Sequence, residues 1–258
     1  MQRGFAIRIT RAFKTISTTA ALALAELTPL DLKVRKVQAL ELTKLTGVSH
    51  LLPCDTILEC PTPLHKLLHP ATRVSISVLS PSKDRNYTPT YPHALNIYTD
   101  GSKLEDSSVG AAFVAFLEGR QTASKKYRLH SFCSVFQAEH LAILKACSWA
   151  SSTYPNTYTI IHTDSQSVIA ALENRSNTHP IVTQIHTLIH AHASPTLHFT
   201  RVKSHTGVVG NEAADLATKS AAAMHSTLAY VYFPMSFVKS AIRAEHNRIW
   251  QARYESSV

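Results

Sequence analysis

Four acidic residues are spaced along the chain where their carboxylates could converge on one site. Asp100 and Asp164 each follow a run with the two-residue period of a strand. Glu139 and Asp215 each lie early in a helical pattern. Carboxylates gathered in one place repel one another unless cations neutralise them, and hard oxygen ligands favour Mg²⁺ or Mn²⁺. Because two such ions about 4 Å apart can activate water and orient a phosphodiester, the four acids predict a two-metal nuclease site.

The first of these acids, Asp100, is expected at the carboxyl end of a buried strand. Leu95, Ile97 and Thr99 alternate with polar residues, which is the pattern of a strand. Gly101 is then expected to end the strand and let the backbone turn. In open α/β sheets, side chains that do chemistry gather at the carboxyl ends of strands. Taken alone, the Asp-Gly pair is also typical of a simple turn between two strands.

The region from 94 to 224 contains the elements that must position the acids. Strands are predicted at 94–99, 109–117, 123–130, 158–163 and 196–202, and helices at 134–150, 165–174, 180–192 and 212–223. The first three strands are expected to form an antiparallel meander. This order predicts an α/β domain with a mixed five-stranded sheet flanked by helices.

Residues 1–47 are predicted to form a small helical appendage. The run Ser17-Thr18-Thr19 is placed to cap a helix that runs through Leu27. A second helical pattern begins at Pro29 and ends at Gly47. Two short amphipathic helices of this kind are expected to pack on each other.

Residues 48–93 are predicted to be a linker, because seven prolines there exclude long helices. Residues 225–258 are predicted to form a carboxyl-terminal tail with a helix. A zinc site is an alternative for the linker, although the spacing is not that of a tight CxxC knuckle. Its ligands would come from His50, Cys54, Cys60, His65 and His69.

The net charge of +9 is unevenly distributed. Residues 1–93 hold 12 Lys or Arg against 6 Asp or Glu, a net +6. Residues 94–224 hold 10 against 9, a net +1, and residues 225–258 hold 4 against 2, a net +2. A basic flank beside an acidic site is typical of proteins that hold a polyanion, and a merely solubilising charge is the alternative.

Cysteine content and hydropathy bear on the compartment. Four cysteines are too few for a disulfide scaffold, so we expect an intracellular setting, the nucleus or cytoplasm. A mitochondrial transit peptide is an alternative, because the amino end is basic and Ala21-Leu22-Ala23 is similar to a cleavage site. No apolar run approaches the roughly 20 residues of a membrane span, so no membrane partner is expected.

Four segments resemble the successive motifs of ribonuclease H type 1 domains. They are YTDGS, FQAE, TDSQS and KSHTGVVGNEAADLA, and they occur in the family's order. Within that family the likeness is to the domain of non-LTR, LINE-like retrotransposon polyproteins. The segment QRGFAIRITRAFKTISTTAALALAELTPLDL is similar to the end of their reverse transcriptase, and RIWQARYESS to the piece after their ribonuclease H. No adjacent Asp-Asp pair occurs, so the polymerase centre is absent.

This resemblance implies a ribonuclease H-like fold, two Mg²⁺ ions, with Mn²⁺ as a substitute, and a role for each acid. Asp100 would bridge both metal ions. The other three metal ligands would be Glu139, Asp164 and Asp215. His205, on a loop, would help proton transfer or product release, which suits an imidazole at neutral pH.

The substrate implied by the resemblance is an RNA/DNA hybrid, of which the RNA strand is cut. The 2′-OH is the group that separates RNA from DNA. Gly101, Ser102 and Gln166 match family positions that touch the minor groove, and Asn211 is assigned a supporting polar role. A reverse transcriptase in the parent polyprotein is the implied protein partner.

Two departures from the family pattern concern substrate binding. Val135 and Phe136 stand where relatives have an Asn-Gln pair. The loop between the helices at 165–174 and 180–192 is short and has no basic handle like the bacterial one. A catalytically silent nucleic-acid-binding remnant is therefore the alternative function. A transposase or integrase is a third reading, but its site normally has three acids and no GNExxD helix.

Overall fold

The computed structural model of the chain describes residues 1–49, 57–73, 76–79, 93–191, 197–203 and 207–256. It divides into two compact units, Met1–Leu58 with Phe233–Val258, and Glu59–Tyr232. The larger unit is wider than the domain predicted at 94–224. It takes in much of the predicted linker and the first part of the predicted tail.

In chain order, the helices and strands of the described residues are α1 (Gln2–Thr10), α2 (Thr18–Leu24), α3 (Leu30–Thr46), β1 (Ser77–Leu79), β2 (Leu95–Lys103), β3 (Val109–Leu117), β4 (Arg120–Leu129), α4 (Val135–Thr153), β5 (Thr159–Thr163), α5 (Gln166–Glu173), α6 (Pro180–Ala191), β6 (Leu197–Arg201), α7 (Val209–Ala223) and α8 (Met235–Glu255). Two short 3₁₀ turns, Leu64–Lys66 and Pro70–Thr72, lie between α3 and β1.

The sheet of the larger unit has, within the described ranges, six strands in the order β1-β6-β5-β2-β3-β4. The meander β2-β3-β4 is antiparallel, and β5, β6 and β1 continue the sheet in parallel with β2. The mixed α/β sheet predicted from sequence is confirmed. The prediction of five strands is wrong by one, because β1 pairs with the exposed edge of β6.

Helices cover both faces of this sheet. Along β3, Phe113 and Ala115 belong to the core that contains side chains of α4, α5 and α6. Ala112 and Val114 point the other way and contact Ala214 and Ala217 of α7. Because successive strand side chains alternate between faces, one apolar strand supplies both cores. The small alanines let α7 approach the sheet closely.

The segment after Glu59, which is predicted as a proline-rich linker, packs on the larger unit. Thr62 N donates to Thr178 O at 2.7 Å. The buried Glu59 carboxylate accepts from Tyr230 and lies 3.1 Å from Nε2 of His179. Burial acts to raise the pKa of Glu59, but hydrogen bonds from His179, Tyr230 and Gln137 hold it below its usual value. Prolines exclude a helix here, yet they permit extended chain that can pair and pack.

The smaller unit consists of α1, α2, α3 and α8. Ser17 accepts from Ala20 N and caps α2 as predicted, but α2 ends at Leu24 instead of Leu27. Gly47 ends α3 in the left-handed conformation, with φ of 71°. Ala21 and Leu22 are buried, against a cluster that includes Trp250 of α8. The predicted tail helix is therefore part of the helical unit.

Two further expectations concern membranes and metals. Among the helices that the structure describes, none has the length and apolarity needed to cross a membrane. For the zinc alternative, His50 and Cys54 lie outside the described residues, and Cys60, His65 and His69 are exposed.

Candidate active site

Asp100 and Asp164 lie where a pair of parallel strands ends. The ladder between β2 and β5 runs to the pair of Tyr98 with His162, and β5 ends one residue later. Each acid is two residues beyond that pair. The register therefore puts both residues at the same end of this strand pair, and the charge of Asp164 contributes to the raised pKa of Asp100. Asp164 directly follows its strand, which agrees with the sequence pattern.

The prediction that Asp100 ends its strand is wrong. β2 continues through Lys103 and stays paired with β3, with Gly101 opposite Ala111. Glycine is required at 101 because the backbone of α4 lies against it. A Cβ atom at this position would be 2.6 Å from the carbonyl carbon of Ala138 and 2.8 Å from Cα of Glu139. The Asp-Gly pair is thus a close approach between strand and helix, and not a turn.

This close approach brings Glu139 to the carboxyl edge of β2. The start of α4 is held by a capping box, in which Ser134 Oγ accepts from Gln137 N and Gln137 Oε1 accepts from Ser134 N. Glu139 follows in the second turn, and its Oε2 accepts from Ser165 Oγ at 2.7 Å. Ser165 comes directly after Asp164. A single hydrogen bond therefore joins α4 to the loop that carries Asp164.

Asp215 reaches the same edge from the opposite side, on α7. Thr218 Oγ1 donates to Asp100 O at 3.1 Å and ties α7 to β2. The start of α7 rests on an aromatic ring, since a Cβ at Gly210 would be 2.6 Å from Cζ of Tyr98. Lys219 Nζ lies 2.7 Å from Oδ2 of Asp215. Asp215 is thus already paired with a cation of its own helix.

The acids form one electrostatic cluster. Burial and, to a smaller extent, the charges of Asp164 and Asp215 together raise the pKa of Asp100 to about 6. Burial, with smaller contributions from the charges of Asp164 and Asp100, raises the pKa of Glu139 to about 7, against the lowering by the Ser165 hydrogen bond. Across the described residues, no group of three or more His, Cys, Asp or Glu is arranged to hold a metal ion. The structure therefore shows coupled carboxylates and not a formed metal centre.

The donors nevertheless fit a divalent cation. All four acids are only partly buried, so water and ions can reach them. Their mutual repulsion, seen in the raised pKa values of Asp100 and Glu139, is the condition that a bound cation relieves. Carboxylate oxygens are the ligands that Mg²⁺ and Mn²⁺ prefer.

The other predicted site residues occupy different environments. Gly101 is buried, and Gln166 is exposed as the first residue of α5. Ser102 Oγ and Asn211 Oδ1 are buried, and neither has a hydrogen-bonding partner in the described part of the chain. A bound water or ligand would satisfy both atoms. His205 lies outside the described residues.

Sequence reasoning missed two residues that support the site. Ser165 was recognisable as a helix-capping residue, but its bond to Glu139 is a tertiary contact. His162 stacks on Tyr98, with ring centroids 4.3 Å apart, and lies 3.0 Å from Oδ1 of Asn96. Burial lowers the pKa of His162 to about 4, so this ring is neutral and supports the strand ends.

Two solved structures are similar to part of the chain. One is the protease-reverse transcriptase of prototype foamy virus, 18% identical with a TM-score of 0.44. The match covers 54% of this chain and 22% of the viral one, so the chain spans less than a quarter of that protein's length. The other is LC11-RNase H1, isolated from compost by a metagenomic approach, 17% identical with a TM-score of 0.41 over 50% of this chain and 95% of that one.

No curated protein matches the chain. The family model of RNase H matches residues 92–223, which is slightly more than half of its length. Those residues include the strands and helices that carry all four acids. On this match, the protein belongs to the RNase H family.

Proposed function

We propose that the protein is an endoribonuclease that hydrolyses the RNA strand of RNA/DNA hybrids. The observation that carries this proposal is the coupled carboxylate cluster at the sheet edge, within the region matched by the RNase H family. The motif resemblance further supports an origin in a non-LTR retrotransposon polyprotein, with a reverse transcriptase as the partner in the parent protein.

Asp100, Glu139, Asp164 and Asp215 would hold two Mg²⁺ ions, or Mn²⁺ in their place. When bound, such ions activate water for attack on a phosphodiester and stabilise the leaving oxygen. The protein's own contribution is the placement of the acids by β2, α4, β5 and α7. Because burial and neighbouring charge favour the protonated forms of Asp100 and Glu139, both must lose a proton before they can serve as ligands.

The remaining residues are proposed to orient the substrate. Gly101, Ser102 and Gln166 would face the minor groove, where the 2′-OH distinguishes RNA from DNA. Asn211 would add a polar contact through its unsatisfied Oδ1. His205 would carry a proton to or from the reacting groups, as its place in the KSHTG motif implies.

Hydrolysis by the purified protein tests this function directly. With Mg²⁺, we expect cleavage of the RNA strand of a labelled hybrid, and no cleavage of duplex DNA or single-stranded RNA. Cleavage of duplex DNA instead would indicate transposase-like or integrase-like chemistry. Calcium should support little or no turnover, because its longer and more flexible coordination does not hold water and phosphate as Mg²⁺ does.

A catalytically silent hybrid-binding remnant is the second candidate. The pairing of Asp215 with Lys219 favours it, because that acid is neutralised without a metal ion. Binding of the hybrid without cleavage under Mg²⁺ and Mn²⁺ would support this candidate over the enzyme.

A further inference from the structure

A groove of about 660 Å³ lies between the segment 62–73 and the helices α4 and α6, outside the acidic site. Its walls include four cationic side chains and, among the described residues, no acidic one. The four cations come from three separate stretches of sequence. They are Lys66, Arg73, Lys145 and Arg175.

None of these four cations forms an ion pair with a described residue. The Arg73 side chain donates hydrogen bonds to two backbone carbonyls. Its Nε donates to Leu68 O at 2.7 Å, and its Nη1 donates to Arg175 O at 3.0 Å. Lys145 Nζ stands 5.6 Å from the ring centroid of Tyr127. Lys66 and Arg175 are exposed. Four positive charges without counter-charges attract an anionic ligand.

The remaining lining resembles a surface for the sugar and phosphate of a nucleic acid. Besides Lys and Arg, phosphate and sugar oxygens are contacted in protein complexes mainly by Ser, Thr, Asn and Gln side chains. The groove is lined by six such residues. They are Thr62, Ser148, Asn177, Thr183, Gln184 and Thr187.

The groove is also close to the acidic site along the chain. Glu139 and Lys145 are both on α4, six residues apart, which corresponds to roughly 9 Å along the helix axis. A duplex advances about 3.4 Å per base pair, so this distance is about three base pairs. Because six residues also turn the helix, the two side chains point about 120° apart around α4, so a nucleic acid held at the acids must also pass around the side of this helix to reach the groove.

We propose that this groove binds the sugar-phosphate backbone of the nucleic acid on which the acidic site acts, a few nucleotides from the scissile bond. The inference rests on the proposed function. It places substrate binding partly on Lys66 and Arg73, which precede the region that resembles ribonuclease H type 1 domains.

The salt dependence of hybrid binding tests the proposal. All chains carry Asp100→Asn to prevent cleavage, and the probe is a labelled RNA/DNA hybrid titrated at a series of NaCl concentrations. Lys66→Gln with Arg175→Gln removes two groove charges whose side chains make no described contact. Each lost phosphate contact should flatten the plot of log affinity against log salt by about 0.9, if a hybrid behaves like duplex DNA, so we expect a change of about 1.8.

A matched control removes two charges that do not line the groove. Arg120→Gln with Lys125→Gln alters exposed residues of β4 and lowers the net charge equally. We expect its slope to stay close to that of the parent. The single variants Lys66→Gln and Arg175→Gln should each give half of the double variant's change, so a folding defect of the double variant does not decide the outcome.

An unchanged slope in the groove variants, or an equal change in the control, would overturn the proposal. The groove would then be assigned to another anion, such as an acidic peptide. This failure is distinguishable from failure of the proposed function. Hybrid cleavage by the wild-type protein depends on the acids and is measured separately, and the slopes are measured in chains that cannot cleave.

Discussion

The two sides of Asp100 are built differently. On the α4 side, Gly101 lets the helix backbone touch the strand, and Glu139 accepts a hydrogen bond from Ser165 but pairs with no cation among the described residues. On the α7 side, Asp215 is paired with the half-exposed Lys219. The comparison shows that one side depends on backbone packing and keeps its charge uncompensated, while the other compensates its charge with a flexible side chain.

The largest effect should come from removing the acid that the two sides share. Asp100→Asn should lower hybrid cleavage by about 10³-fold or more, since metal ligation supplies several kcal/mol to such reactions. The measurement is the initial rate with Mg²⁺ and labelled hybrid. Glu105→Gln removes one negative charge from the exposed loop after β2 and should cleave like the wild type. Comparable cleavage by both variants would contradict the site.

Blocking the close contact between Gly101 and α4 should lower both stability and cleavage. Gly101→Ala puts a methyl group against the backbone of Ala138 and Glu139, which cannot move without shifting α4. Overpacking of this kind costs about 1–3 kcal/mol, so the melting temperature and the cleavage rate should both fall. Gly4→Ala is the control, because nothing lies within 4 Å of a Cβ there. A Gly101→Ala protein with wild-type stability would mean that α4 does not press on β2.

The raised pKa of Asp100 should make the stability difference between Asp100→Asn and the wild type depend on pH. The folded pKa of Asp100 is raised from 3.8 to about 6, so folding favours its protonated form. The contribution of protonated Asp100 to the stability of the folded state is complete below about pH 4 and is lost as the pH rises through 6. Without metal, Asp100→Asn should therefore match the wild type near pH 4 and exceed it by on the order of 2 kcal/mol near pH 7.5.

Urea unfolding in EDTA at several pH values measures this difference. Comparing the two proteins is necessary because buried histidines titrate in the same range with the opposite sign. Burial lowers the pKa values of His140 and His162 to about 4, so both proteins lose stability as these rings are forced to ionise at low pH. A stability difference between the two proteins that does not change with pH would contradict the raised pKa of Asp100.

The compensated side should show the smallest effect. Lys219→Gln removes a solvent-exposed ion pair, so the stability of the protein should change little. Because the lysine competes with cations for Asp215, the Mg²⁺ concentration that gives half-maximal cleavage should fall, by up to about fivefold. Lys126→Gln is the control, since its Nζ contacts Ser220 Oγ and no acid. A higher Mg²⁺ requirement would mean that Lys219 assists the site.

Local patterns predicted most of the elements around the site. The alternation at Leu95, Ile97 and Thr99 is the buried face of β2, because the period of a strand is a local property. Asp164 follows β5 as predicted. The strand end at Asp100 was predicted wrongly, since an Asp-Gly pair in a turn and one beneath a helix look the same in sequence.

Contacts between distant residues could not be predicted in this way. The bond from Ser165 to Glu139 joins residues 26 apart, and the bond from Thr62 N to Thr178 O joins residues more than a hundred apart. No periodicity encodes either contact. The same holds for the groove, whose cations come from the segment 62–73, from α4 and from the loop between α5 and α6.

The sequence by itself determined which residues could do chemistry and in which elements they lie. Strand and helix periods, caps and the spacing of the acids are local, so they can be recognised before the chain folds. Only the tertiary structure decided that Gly101 lies beneath α4, that Lys219 pairs with Asp215, and that the segment after Glu59 extends the sheet. These features depend on which surfaces meet, and burial and charge coupling take effect only when surfaces distant in sequence come into contact.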